Sequence, residues 1–519
     1  MLVALCLFAP SIWMLATIPP LWKDVDAYGQ VTAPPNTTTI LLFGPVYCFL
    51  ARAPLYIGYA FECWRAGTSF PSFRFFVEPI LSDSGVWLLV LSQHVAFCCA
   101  ACIFIISATK LFLVRFAFAL LWAASPLFYT WAHCVGTETL SLILLLLVSA
   151  AGLRIIAQPA KVPLRLWVSF GLLFTLSMLT RHINGILGAL LPLTFGIVAV
   201  VRWIAAVRQT SPRKRRWLRY RGGQALRNAF IAVALGIVCI ALSNVTLRLL
   251  SRAAGVRYHT TAGFTFMFRL SSLGPASPQQ WEDLIENAAV TSRSADVRTL
   301  LSVFRTPPVE SAKLNAMDLL MNARTLFPEP TADSPDIFDE VLNQTARAFL
   351  RSPHPVFRRA VLADFGRSLQ STVRNVATHP FRSTVFYFSH ADSMPGLTPL
   401  ATFQGTTAGD ILGLVRAHPY LRRFRDITYA HILFASLLSL LLLAVLTRGR
   451  LPAVAAYALA LTSVGLLMMF ANCVLNEYQA RYTLPMWQLT IAATLALLGS
   501  AANVLRLKVK SAGRLVRPG

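Results

Sequence analysis

Apolar positions in this chain fall in long uncharged runs, not in the strict alternation of a half-buried strand. A helix needs about 20 consecutive apolar residues to cross ~30 Å of hydrocarbon. Ten runs fit that requirement, at 2–19, 84–107, 110–131, 138–157, 164–180, 183–206, 225–247, 428–447, 452–475 and 482–505. A further run, 39–61, is interrupted by Pro45, Arg52 and Pro54, and neither half is long enough to span. It predicts one or two interfacial helices lying at the membrane surface. The pattern thus predicts an all-α polytopic membrane protein with about ten transmembrane helices.

Between the seventh and eighth runs the pattern changes. Residues 251–427 are polar, with helix-like stretches at Trp281 to Ala289, Ala295 to Phe304, Ala312 to Thr325 and Ile337 to Leu350, separated by Pro and Gly clusters. Asp336 stands as an N-cap for the last of these, with Glu340 in its first turn. Three regions follow: a membrane part at 1–250 with a first external loop at 20–83, a large, mostly helical external segment at 251–427, and a second membrane part at 428–519 ending in a basic tail. The segment's nineteen Lys and Arg against fifteen Asp and Glu read as the solvated face of a helical lid. A sharper reading makes it a surface that helps hold an anionic lipid head group or a sugar acceptor.

Composition narrows the class. The chain is 56% hydrophobic and only 13% charged, where soluble domains carry about 25% charged residues. A soluble globular protein and a disordered chain are both excluded. Nine scattered cysteines make no disulfide framework. The net charge of +25 would suggest nucleic acid in a soluble protein, but here it reads as a topology signal, and no nucleic-acid partner is expected. Arg208, Arg213, Lys214, Arg215, Arg216, Arg219 and Arg221 crowd the hairpin between the sixth and seventh runs, which predicts that hairpin to be cytosolic. Alternation puts Lys110, Arg115, Lys161, Arg165, Arg448, Arg450 and the basic tail on the same side. All 22 carboxylates then fall outside. The first run reads as a signal anchor, and the lack of charge before Lys23 suggests that a short basic stretch precedes it. Arg outnumbers Lys 40 to 7, a hint of a GC-rich bacterial gene. The expected location is the bacterial inner membrane, with the external loops facing the periplasm.

Ionisable residues at span ends are few and are the natural site candidates. The first external loop opens Trp22-Lys23-Asp24-Val25-Asp26-Ala27-Tyr28. His133 to Glu138 heads the fourth run. Arg181 and His182 join the fifth to the sixth. Asn476-Glu477-Tyr478-Gln479-Ala480-Arg481-Tyr482 joins the ninth to the tenth. In a compact bundle these four loops can meet in one external pocket of proton-accepting carboxylates and phosphate-holding guanidinium groups.

The set resembles the membrane-embedded glycosyltransferases of the GT-C superfamily, in particular the bacterial branch similar to dolichyl-phosphate-mannose protein mannosyltransferases. The resembling residues are Asp26-Ala27-Tyr28 after the first run, Gly44-Pro45-Val46-Tyr47 with Arg52, Ser125-Pro126 with Gly136-Thr137-Glu138-Thr139-Leu140, Leu179-Thr180-Arg181 with Gly185, and Arg481-Tyr482-Thr483-Leu484-Pro485. Each motif alone is weak; their order and shared side carry the resemblance. It covers the membrane part and not 251–427. The family's first loop often has Asp-Glu, whereas Ala27 follows Asp26 here, so Asp24 and Asp26 both stand as the general base. The resemblance implies inverting transfer of a sugar from a polyprenyl-phosphate carrier to an acceptor hydroxyl on glycan, lipid or protein. Asp26 or Asp24 would be catalytic, and Glu138, Arg181, His182, Glu477, Arg481 and Tyr482 would bind substrate. No metal-ligand set stands out, and a divalent metal is left open.

Blander readings stand beside these. Glu138 complements a helix dipole, Arg181 can snorkel, and Arg481 with Tyr482 can anchor at the interface. His94 reads as a buried, hydrogen-bonded residue, and Cys99 with Cys102 as small packing residues. The sequons at Asn36 and Asn343 mean nothing in a bacterial host. Two other functions remain open: an O-antigen polymerase or ligase, which would rely on external Arg and His, and a secondary transporter, which would show internal repeats and midplane charge.

Overall fold

The computed structural model describes residues 1–22, 31, 44–70, 80–158, 162–253, 262–271, 278–304, 323–328, 337–389, 413, 415–423, 426–449, 452–476 and 478–515. The protein is an all-α membrane protein. Among the described residues, seven helical stretches are long and apolar enough to cross a membrane: Asp83–Ala108, Thr137–Ile156, His182–Val207, Pro212–Ala253, Tyr429–Leu446, Ala453–Leu475 and Ala480–Val509. Three shorter apolar helices, Leu2–Thr17, Phe112–Ala124 and Leu164–Thr180, occupy the first, third and fifth expected runs.

In chain order the membrane part begins with α1 (Leu2–Thr17), strand β1 (Leu21–Trp22), α2 (Pro45–Ala66), α3 (Asp83–Ala108), α4 (Phe112–Ala124), strand β2 (Cys134–Val135), α5 (Thr137–Ile156) and α6 (Leu164–Thr180). A 3-10 turn, His182–Ala189, leads into α7 (Leu190–Val207), and α8 (Pro212–Ala253) follows. The polar segment contributes α9 (Ala262–Ser271), α10 (Pro278–Thr291), α11 (Ala295–Val303), α12 (Ile337–Arg351), α13 (Pro355–Leu369) and α14 (His379–Ser389). The chain closes with α15 (Tyr429–Leu446), α16 (Ala453–Leu475) and α17 (Leu484–Leu515).

Several boundaries differ from the hydropathy reading for definable reasons. The third run ends as a helix at Ala124 because Ser125 precedes Pro126 and is extended, as pre-proline residues prefer. In the run at 39–61, described from Gly44, Pro45 sits at the first helical turn and Pro54 lies inside one continuous helix, α2. That helix runs close against α3, where a Cβ on Gly58 would collide with Ser84 and Gly85. The basic hairpin is largely helical. Its Arg and Lys residues favour helix, and α8 starts at Pro212 and runs 42 residues without a break. Among the helix-like stretches of the polar segment, 281–289, 295–304 and 337–350 are helical, whereas most of 312–325 and Asp336 lie outside the described residues.

The polar segment is tied to the membrane part. The Trp131 indole donates to the carbonyl of Val376 at 3.0 Å, and the Trp487 indole donates to Ser371 Oγ at 3.0 Å. Trp131 stacks on His379 at 5.6 Å between ring centres. Thr372 bridges Thr428, just before α15. These tryptophans carry both apolar area and a donor that needs a partner when buried, and the segment's backbone supplies one of those partners. At the other contact, Asp364 of α13 is buried between Arg269 and Arg367, while Ser368 meets Cys473 of α16.

Candidate functional site

The site is built around the start of α5. Glu138 lies in its first turn and is 1% exposed. Carboxylates are favoured there because the unpaired helix N–H groups leave a partial positive charge. Arg181 caps α6 in an extended conformation, which ends the helix and turns the chain toward α5. Its Nη1 donates to Glu138 Oε1 at 3.3 Å. Thr137 Oγ1 donates to the other oxygen, Oε2, at 3.5 Å. The 3-10 turn after Arg181 is pinned from below: Asn184 Nδ2 reaches Ser141 Oγ at 2.9 Å, Ser177 Oγ at 3.0 Å and the Ser177 carbonyl at 3.1 Å.

The last motif joins from the other end of the chain. The Tyr482 ring centre lies 5.8 Å from the Arg181 guanidinium and 5.1 Å from that of Arg481. Arg481 Nη2 donates to Tyr482 Oη at 3.3 Å, and Arg481 is buried. One phenol ring thus carries two guanidinium groups, each within cation–π range. Counting Glu138, the described cluster holds two cations against one carboxylate.

Two neighbours fix this geometry. Gly44, at φ +86°, presses its backbone on the C-terminal end of α6: a Cβ would collide with the carbonyl oxygen of Leu179 and sit 2.8 Å from that of Thr180. Three residues on, Tyr47 accepts the Gly136 N–H at 2.9 Å and donates to Gln93 Oε1 at 2.9 Å. Gln93 Nε2 in turn donates to the carbonyls of Ala132 (3.2 Å) and Cys134 (3.1 Å). Burial pushes the Tyr47 phenol well above its ordinary range, with Glu138 adding in the same direction, so it keeps its proton.

The chain just before Asp24 and Asp26 is fixed beside β2. β1 pairs in parallel with β2, Leu21 opposite Cys134 and Trp22 opposite Val135. The Trp22 N–H donates to Thr384 Oγ1 at 2.8 Å, tying this point to the polar segment. His133 secures it from behind: its Nε2 lies 2.8 Å from the Ile18 carbonyl and 3.1 Å from that of Pro19. A nitrogen facing two carbonyls must carry the proton. His133 Nδ1 therefore accepts, across 3.0 Å, from His94 Nε2, and His94 Nδ1 accepts from Ser11 Oγ at 2.9 Å. Burial pushes the His133 imidazole down to about 4, consistent with this neutral tautomer chain.

The structure therefore brings together Glu138, Arg181, Arg481 and Tyr482. His182 is exposed at the start of the 3-10 turn. Asp24, Asp26 and Glu477 lie outside the described residues. His94 is the buried, bonded histidine the sequence suggests. Cys99 and Cys102 are free thiols, Cys99 exposed on α3, and among the described residues no group of three His, Cys, Asp or Glu side chains is placed to hold a metal. Sequence reasoning did not single out Gln93 or the docking roles of Trp131 and Trp487. For Gln93 a signal existed, since an amide inside an apolar span needs partners. Compared with known proteins, the chain matches no family model, no curated protein and no solved structure.

Proposed function

We propose that this protein is an integral membrane glycosyltransferase of GT-C type, moving a sugar from a polyprenyl-phosphate carrier to an acceptor hydroxyl with inversion. The observation that carries this reading is the Glu138–Arg181–Tyr482–Arg481 cluster, in which motifs hundreds of residues apart in the chain meet at one end of the bundle. Two guanidinium groups around one phenol suit a phosphate whose charge grows as the glycosidic bond breaks. Glu138 holds Arg181 in position and keeps the local charge from running too high. Asp24 or Asp26, two and four residues past Trp22, is the base that takes the acceptor proton. Their chain leaves β1 directly beside the strand that leads into Glu138.

In this reading the three shorter apolar helices also cross the membrane, giving ten spans. The basic hairpin is cytosolic, and the cluster opens to the periplasmic face of a bacterial inner membrane. The polar segment, anchored through Trp22, Trp131 and Trp487, forms the roof under which the acceptor enters. The carrier's tail runs between α2 and neighbouring spans.

The test is incubation of purified protein with a panel of radiolabelled polyprenyl-phosphate sugars, following loss of carrier and gain of product. Transfer is expected with one donor and is reduced about 10²–10⁴-fold by either Asp26→Asn or Asp24→Asn. Transfer that survives both substitutions intact favours a polymerase or ligase mechanism instead. Solute flux in proteoliposomes with no sugar product favours a transporter.

A further inference from the structure

The far end of α8 carries a surface that the glycosyltransferase reading does not use. From Glu138 to Glu282 the chain contains no Asp or Glu at all. Within that stretch, Arg213, Lys214, Arg215, Arg216 and Arg219 are all exposed on the first turns of α8. Their counter-charge therefore has to come from outside this part of the protein.

The hairpin that presents them is tightly built. Arg202 of α7 donates to the Arg221 carbonyl at 2.9 Å, and the Trp203 indole lies so close to Gly222 that a Cβ there would sit 2.6 Å from the ring. Arg215 donates twice to the Gln209 carbonyl, at 3.1 and 3.0 Å, closing the turn. At its opposite end α8 packs Leu247 against Leu179, two residues from Arg181. Residues 222–247 rise roughly 38 Å at 1.5 Å each, enough to cross a hydrocarbon layer of about 30 Å. The basic tip and the candidate site thus lie at opposite membrane faces.

The tip is not purely basic. Beyond the Arg202–Arg221 bond, Ile204 is 48%, Val207 74%, Trp217 57% and Tyr220 65% exposed. Aliphatic side chains and amphipathic rings left open at this level do not suit water, nucleic acid or an acidic protein face; they suit the border between acyl chains and head groups. The cations lie within about a turn of Trp217 and Tyr220, at head-group depth. We propose that the α7–α8 tip is a docking surface for anionic phospholipid head groups, with Trp217 and Tyr220 in the interface and the cations holding lipid phosphates. The attraction comes from summed charge near the surface and so falls with salt.

Native mass spectrometry of the detergent-purified full-length protein, titrated with phosphatidylglycerol or phosphatidylcholine, tests this. Retention of phosphatidylglycerol is expected to exceed that of phosphatidylcholine. A variant carrying Arg213→Gln, Arg215→Gln, Arg216→Gln and Arg219→Gln is expected to lose at least about tenfold in apparent affinity for phosphatidylglycerol, while the same four positions changed to Lys keep most of it. A photo-crosslinking amino acid at Trp217 gives a second readout on an otherwise native tip in phosphatidylglycerol nanodiscs, independent of how the Gln variant inserts. Adducts there should have the mass of the lipid. Equal binding of the two lipids, an undiminished preference in a folded Gln variant, or crosslinks to nucleic acid or protein in place of lipid would overturn the proposal.

Discussion

Arg181 Nη1 and Glu138 Oε1 lie 3.3 Å apart, joining the C-terminus of one helix to the first turn of another across 43 positions of sequence. Glu138 is almost wholly buried and Arg181 keeps 15% exposure. Removing one partner of such a pair leaves an uncompensated charge in a poorly solvated place, at a cost of about 3–5 kcal/mol. Glu138→Ala is therefore expected to lower the melting temperature of detergent-solubilised protein by several degrees. The double variant Glu138→Ala/Arg181→Ala should be less damaged than the sum of the two single ones. A strictly additive cycle would remove the pair from the account.

Gly44 and Gly67 both sit at positive φ, +86° and +68°, but only Gly44 touches its neighbours. A Cβ at Gly67 meets nothing within 4 Å. Gly67→Ala should cost about 1 kcal/mol, the strain of a left-handed residue alone. Gly44→Ala adds a collision with the Leu179 carbonyl and must move α2 away from Arg181. It is expected to lose far more stability and most of the transfer activity. Equal thermal shifts for the two variants would contradict this packing.

The polar segment is held to the membrane part by indole hydrogen bonds. Trp131→Phe and Trp487→Phe each remove one donor and keep a ring, at about 1 kcal/mol apiece. Together they should make the segment around residues 371–384 markedly easier to cleave by limited proteolysis, without unfolding the spans. Unchanged cleavage kinetics would mean the contacts do not hold it.

His133 links stability to pH. Its folded-state value is depressed to about 4 by burial, below the ordinary ~6.5 of an unfolded histidine. As pH falls, the unfolded chain takes up the proton first. Stability should be full above pH ~6.5, drop between ~6.5 and ~4 by on the order of 3 kcal/mol, and level off below. His133→Gln keeps a donor for the Ile18 and Pro19 carbonyls but has no imidazole, so its melting temperature should be flatter over that range.

Most of the helices were readable from hydropathy because lipid forces backbone groups to bond within each segment. Where the reading slipped, a local rule was overridden by packing. Pro54 looked like a break, yet α2 continues through it beside Gly85. Arg213 to Arg221 fell outside the seventh run because charge marks a border, but charge says nothing against helix, and α8 already starts at Pro212. At the site, Glu138, Arg181, Arg481 and Tyr482 were legible as lone polar residues at span ends. That the Tyr482 ring would meet both guanidinium groups was not, since it depends on how the end of α6 and the turn before α17 are brought together. The ties from residues 371–384 to Trp22, Trp131 and Trp487 were equally hidden, because they use backbone carbonyls and hydroxyls that carry no pattern.

In the proposed mechanism Arg181 and Arg481 hold the phosphate of a lipid-linked sugar. Single-turnover transfer from the preferred polyprenyl-phosphate sugar, compared among wild type, Arg181→Gln, Arg481→Gln and the exposed control Arg506→Gln, is the decisive comparison. A rate loss of about 10²–10³-fold is expected in each site variant, with a near-normal rate in the control. Full-rate transfer by both site variants, or no transfer from any carrier by wild type, would contradict it.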